Sequence, residues 1–299
     1  MTKIEKLVTS LIVATPLFVT QSFAQTPTET EEPTARVLLN TTLDTETGAM
    51  VLDEVTVYEG TRVRQLAYQD LQKPELVGYQ NSGLSPALYA HPMPPGTEIV
   101  EVEGDIGSPV SDSVRQTAKN YLSDNIVNSV FFDIGSNDNG ITMRFDPPLV
   151  NQPGVDLLVG EMGAPAGNVS SGCPNTPSPG GDRLFLQSND STFTIEPETY
   201  TPQGPLGVMR YYGKEELREN VQISSIANLE NYPALERNVI DHLHLFTTTV
   251  DLSNLGIPEG ETISQITVGA VPIETTVEEE VVLCFTADPA FVYGLSAEQ

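Results

Sequence analysis

The stretch IDHLHLF places His242 and His244 two residues apart. On a strand, positions i and i+2 share a face, so both imidazoles would point the same way. With an acid from a neighbouring strand they could hold zinc or copper. DIGSNDNG offers Asp133, Asn137 and Asp138 as oxygen donors in a tight loop. That is calcium's donor chemistry, but the spacing does not fit an EF-hand, and Asx-rich turns also form for backbone reasons alone. VDLLVGEMG carries two acids, Asp156 and Glu161. A paired-carboxylate site needs both groups aimed at one substrate atom. A regular strand puts Asp156, Leu158 and Gly160 on one face and Leu157, Val159 and Glu161 on the other, so the spacing argues against such a pair. Tyr200, Tyr211 and Tyr212 read as exposed aromatics on which a sugar ring could stack, although ordinary packing accounts for them equally.

Motifs for nucleophilic, nucleotide or zinc-protease chemistry are missing: the chain holds no GxSxG, P-loop, GxGxxG or HExxH. Its two cysteines, Cys173 and Cys284, read as a disulfide if the chain is exported. The bridge would close a loop of about 110 residues and contribute roughly 3–5 kcal/mol in the chain-entropy picture; two free thiols are the alternative.

Export is what the first residues predict. Lys3 and Lys6 precede an apolar run from Leu7 to Thr20, and Ser22-Phe23-Ala24 supplies small residues for cleavage after Ala24. This is the pattern of a signal peptide over 1–24. Beyond it no apolar run reaches the length of a membrane span, so the mature chain is expected to have none. Lys and Arg number 14 against 41 Asp and Glu, a net charge of −27. Nucleic acid, bound through basic side chains, is thereby excluded as a partner. Such a surface attracts cations or basic partners. Equally, its acidity could serve only to keep it hydrated in a salty medium.

The elements that would position these residues are strands. QTPTETEEPTA, residues 25–35, reads as a flexible acidic leader. RVLLNTTL and AMVLDEVTVY flank DTETG as a hairpin, followed by a connector; together they occupy 36–95. The main domain is expected over 96–299. GITMRFDPPLV, VDLLVGEMG, DRLFLQSND, STFTIEPETY, HLHLFTTTVDL, TISQITVGAV and EEVVLCFTA are short, β-branched or aromatic, and bounded by Gly, Pro, Asn and Asp. They predict a mainly β protein, an antiparallel β-sandwich of jelly-roll type. PPLVNQPG reads as a connection whose prolines stop the pairing. GKEELREN and SSIANLENYPALERN contain good helix formers, so a small helical insertion is expected near 213–238.

The run SVFFDIGSNDNGITMRFDPPLVNQPGVDLLVGEMG resembles a pattern in secreted bacterial surface proteins of the PEP-CTERM, exosortase-associated type. There an ITLxFD strand is followed by PxxNGPGxDLxVFE. TVDLSNLGIPEGETISQITV and DPAFVYGL are similar to that family's DLxxLGVxxGExI turn and its closing DPxxVxGL. The resemblance covers roughly residues 125–295, apart from the expected insertion. The departures are Gln152 at the Gly of the NGPG turn, Met162-Gly163 after Glu161, and the lack of the family's sorting tail. The resemblance implies a secreted β-sandwich domain and assigns no chemistry.

The expected function is therefore that of an exported, non-catalytic surface or matrix protein. It would act by binding an extracellular glycan or a surface protein, with calcium as the one cofactor the loops suggest. The alternative is a metal-assisted hydrolase using His242 and His244.

Overall fold

The computed structural model describes residues 35–80, 87–97, 124–129, 140–163, 181–213, 235–240, 243–271, 273–277, 280–284 and 288–295. All of them belong to one compact unit, residues 33–299. The protein is mainly β, with antiparallel sheets and, among the described residues, no helix of seven or more residues.

The first hairpin forms as the sequence predicts. β1 (Arg36–Leu43) and β2 (Met50–Glu59) pair antiparallel, and β3 (Arg62–Ala67) continues the sheet. Asp44 shapes the β1–β2 turn by accepting from the Glu46 amide at 2.9 Å and the Thr47 hydroxyl at 2.7 Å. Parts of the expected connector are paired strands. β4 (Pro74–Gln80) joins β6 (Gly140–Val150), and β5 (Ala87–Pro92) joins β11 (Met209–Gly213).

Two sheets form the sandwich. One runs β4-β6-β14-β8-β9, with β8 Leu184–Ser188, β9 Ser191–Ile195 and β14 Thr262–Ala270. The other runs β10-β13-β7-β17, with β7 Leu157–Gly163, β10 Thr201–Pro205, β13 His244–Val250 and β17 Pro289–Gly294. Between them lie Ile141, Met143 and Phe145 of β6, Leu157 and Val159 of β7, Leu184 and Leu186 of β8, and Ile266 and Val268 of β14. In β6, Thr142 and Arg144 alternate with these and face outward.

A third layer makes the four-stranded sheet central. Leu158 and Met162 of β7 and Phe291 and Tyr293 of β17 pack in a second core with Val37, Leu52, Val55, Val57 and Leu66 of the N-terminal sheet. Both faces of β7 and β17 are thus covered, which is why LLVGEMG and PAFVYG read as nearly continuous apolar runs. A polar side chain in β7 has no route to water.

Two expectations about local structure are corrected. Pairing does stop at Asp146-Pro147-Pro148, which contains a cis peptide bond, but it resumes, since Leu149 and Val150 pair with Ile263 and Thr262. The prolines bulge β6 rather than end it. The end of the expected helical insertion is also strand: β12 (Leu235–Ile240) pairs with β11, and Gly213 belongs to β11. Helix formers in LERN yield there to sheet pairing, as weak propensities do. Residues 214–234 lie outside the described range. β15 (Ile273–Val277) and β16 (Glu280–Cys284) pair with each other as a further antiparallel hairpin.

Candidate functional site

β7 begins just after one acid and nears its end with another. Asp156 is 1% exposed and Glu161 not at all. Asp156 Oδ1 accepts from the Gln152 amide at 2.8 Å and Oδ2 from the Leu252 amide at 2.9 Å. It thereby ties the β6–β7 turn to the β13–β14 turn. Asp251 caps that second turn by accepting from the Ser253 amide, and Gly256, at φ 71, closes it in the left-handed region. Asn151 adds a bond from its side chain to the Ile257 carbonyl at 2.6 Å. The β2–β3 hairpin grips the same turn. Glu59 accepts from the Val155 amide at 2.7 Å, Arg64 donates to the Val155 carbonyl at 2.6 Å, and Glu59 and Arg64 pair at 3.0 Å. Burial pushes the Asp156 carboxyl up to about 6, against the pull of its two amide donors.

Glu161 meets a different environment. Alternation puts it with Leu157 and Val159 on the inner face of the sandwich. Oε1 accepts from the Asp288 amide at 2.7 Å, while Oε2 is buried without a hydrogen-bond partner. Carboxylate oxygens of Glu161, Asp182 and Asp288 all lie within 4.8 Å of one another. Burial, then the charges of Asp182 and Asp288, push Glu161 well above the usual carboxylate range. Tyr200 borders the group. It is 9% exposed, its hydroxyl lacks a hydrogen-bond partner, and burial with the Glu161 and Asp182 charges raises it too.

The outer face of the five-stranded sheet offers an open cleft of about 390 Å³. Thr142, Gln187, Asn189, Ser264, Gln265 and Thr267 line it together with Ser188, Thr262, Ile263 and Ile266. One rung crosses all five strands, Gly78–Thr142–Thr267–Gln187–Thr192. The Thr142 and Thr267 hydroxyls lie 2.9 Å apart. No residue of the lining carries a formal charge.

The residues singled out from sequence fare unequally. Tyr200 is not an exposed platform; the chain turns at Pro197–Thr199 and puts the ring in the sandwich core. Tyr211 and Tyr212 lie in β11, where only their backbone is described. His244 is half-buried at the start of β13 and joins no group of ligating side chains among the described residues. His242, Asp133, Asn137, Asp138 and Cys173 lie outside the described residues, and Cys284 is described only as backbone in β16. Asp156 and Glu161 do not pair with each other, as their spacing predicts. The partners that Glu161 does acquire, Asp182 and Asp288, come from remote segments and leave no local signal. The cleft did leave one, the polar positions that alternate with apolar ones in GITMRF and TISQITV, among them Thr142, Ser264 and Thr267.

Compared with known protein families, curated proteins and solved structures, the chain matches none of them.

Proposed function

We propose that the protein is an exported, non-catalytic surface or matrix protein that works by binding, and that the outer face of its five-stranded sheet takes a neutral glycan. The observation that carries this reading is the chemistry of the cleft. In a chain with 41 acidic residues and a net charge of −27, this lining is made of hydroxyl and amide residues with two isoleucines, and none of them carries a formal charge. Threonine, serine and glutamine side chains each donate and accept, which matches the hydroxyls of a sugar. A carboxylate-free surface also spares a polar, uncharged ligand the cost of desolvating a charge. The sheet is rigidly backed by core residues such as Ile141, Met143 and Val268, so the rung is set before a ligand arrives.

The signal-like segment over 1–24 and the resemblance to secreted surface proteins support the export half of the proposal. The test is an array of neutral and charged polysaccharides probed with wild type and with a Thr267→Ala, Gln187→Ala double variant. Retention on neutral glycans that the double variant loses, with an unchanged melting temperature, is the expected result. No retention of wild type on any glycan, or retention equal in the double variant, would overturn the reading.

A further inference from the structure

We propose that Glu161, Asp182 and Asp288, together with the Tyr200 hydroxyl, form a binding site for a divalent cation of calcium's type. Three carboxylates close together are not enough to argue this, because acidic groups often cluster without an ion. The second observation is the phenol. Tyr200 is nine-tenths buried, yet its hydroxyl has no hydrogen-bond partner. A side-chain carbon added at Gly181 would lie 2.8 Å from Glu161 Cγ and 3.1 Å from Tyr200 Cζ. The hydroxyl end of the ring and the carboxylate therefore flank the same glycine. A buried hydroxyl and a buried carboxylate oxygen, Oε2 of Glu161, are both left without a partner at one place. Leaving such groups buried and unmatched is costly, and one bound ion would satisfy both.

The donor set chooses the ion. All the side-chain atoms are oxygens, and no histidine or cysteine belongs to the group. Hard oxygen donors suit calcium or magnesium rather than zinc or copper. Calcium takes its ligands at about 2.3–2.6 Å, so opposite ligands stand about 5 Å apart. The carboxylate oxygens, within 4.8 Å of one another, fit on that sphere. Calcium also accepts irregular arrangements and higher coordination, while magnesium demands a near-octahedral shell and keeps its water. Asp182 and Asp288 both set negative charge beside Glu161, and the backbone bonds from the same two residues do not cancel it, so an ion among the three carboxylates would relieve their repulsion. Bound there, it would tie β7 and the entry to β17, in the central sheet, to the entry to β8, in the outer sheet.

The test uses the full chain, stripped with EDTA and then titrated with calcium or magnesium, reading thermal unfolding and calorimetric binding. Terbium gives a third readout: a tyrosine beside the ion sensitises its luminescence, and the chain has no tryptophan to compete. The expected result is a calcium-dependent rise in melting temperature, with terbium luminescence that calcium displaces. Glu161→Gln should weaken calcium binding by about tenfold or more, while melting in EDTA no lower than wild type. Tyr200→Phe should keep the fold, weaken calcium several-fold, and lose most of the terbium signal; it decides the matter if Glu161→Gln fails to fold. No calcium response in wild type would overturn the site, as would a response that both variants retain unchanged.

Discussion

Asp156 and Glu161 flank one strand, and neither carboxylate reaches water, yet their surroundings treat them oppositely. Asp156 has an amide donor on each oxygen and a hairpin gripping the residue before it, and the opposing charges of Asp251 and Arg64 both act on it. Glu161 is bonded by the backbone of Asp288 and Asp182, but the charges of those same two residues press on it and its Oε2 stays unmatched. The first arrangement resembles a joint: two turns and a third layer converge on a charge that organises their amides. The second resembles a socket, with charge and donors gathered but not matched. Burial alone therefore says little about a carboxylate's role. What separates joint from socket is whether the protein itself completes the hydrogen bonding.

Breaking the joint should give the largest effect. Arg64→Ala removes one partner of a buried ion pair, leaving Glu59 uncompensated and the Val155 carbonyl without its donor. A loss of about 3–5 kcal/mol is expected, read as a lower urea midpoint at unchanged slope. Asp156→Ala comes next. It strands the buried Leu252 amide and frees the half-buried Gln152 amide; an unpaired buried amide costs about 1–3 kcal/mol, so a loss in that range is expected. The isosteric pair sharpens the comparison. In EDTA, Asp156→Asn should lower the melting temperature, because an amide can present an acceptor to only one of the two N–H groups. Glu161→Gln should hold or raise it. If both variants move the same way, the distinction between joint and socket fails.

Gly154 reports on the joint more gently. Its φ of +99 and an added Cβ only 2.3 Å from Glu59 Oε1 mean that any side chain must push the Glu59 grip away. Gly154→Ala should cost about 1–3 kcal/mol. Asp156→Ala combined with it should cost less than the sum, since both act on one turn.

How much of this was legible in the sequence depends on how local each signal is. The 36–58 hairpin and the strands around GITMRF, LLVGEMG, DRLFLQS and TISQITVGA could be read because alternation and turn residues lie side by side in the chain. The turns NQPGVD and VDLSNLG, legible as turns from their Gly, Pro, Asn and Asp, form the joint through Gly154, Asp156, Asp251 and Gly256. The burial of both acids was hinted at by unbroken apolar runs in β7 and β17, which imply cover on both faces, but what covers them is the distant N-terminal sheet. Tyr200 and LERN misled for a common reason. Residue type suggested exposure or helix, and tertiary packing overrode it. The socket was invisible, because its three acids meet only after folding, and in their own segments each looks like an ordinary turn or strand-edge acid.

The smallest effect, and the most specific to the joint, is in pH. The folded carboxyl of Asp156 is raised to about 6 from an ordinary 3.8. Between those values the folded chain binds a proton that the unfolded chain has released. Stability from this group must therefore grow as pH falls through about 6 towards 4, and fall again as pH rises. Between pH 7 and pH 5 the gain should be about 1 kcal/mol. The whole chain repels itself more as its acids ionise, so the raw profile mixes many groups. The difference between wild type and Asp156→Asn at each pH isolates this one, because the amide does not titrate. That difference should shift in favour of wild type as pH drops from 7 to 5. A flat difference would mean that the two amide donors fully offset burial, and that Asp156 stays charged throughout as a purely electrostatic pin.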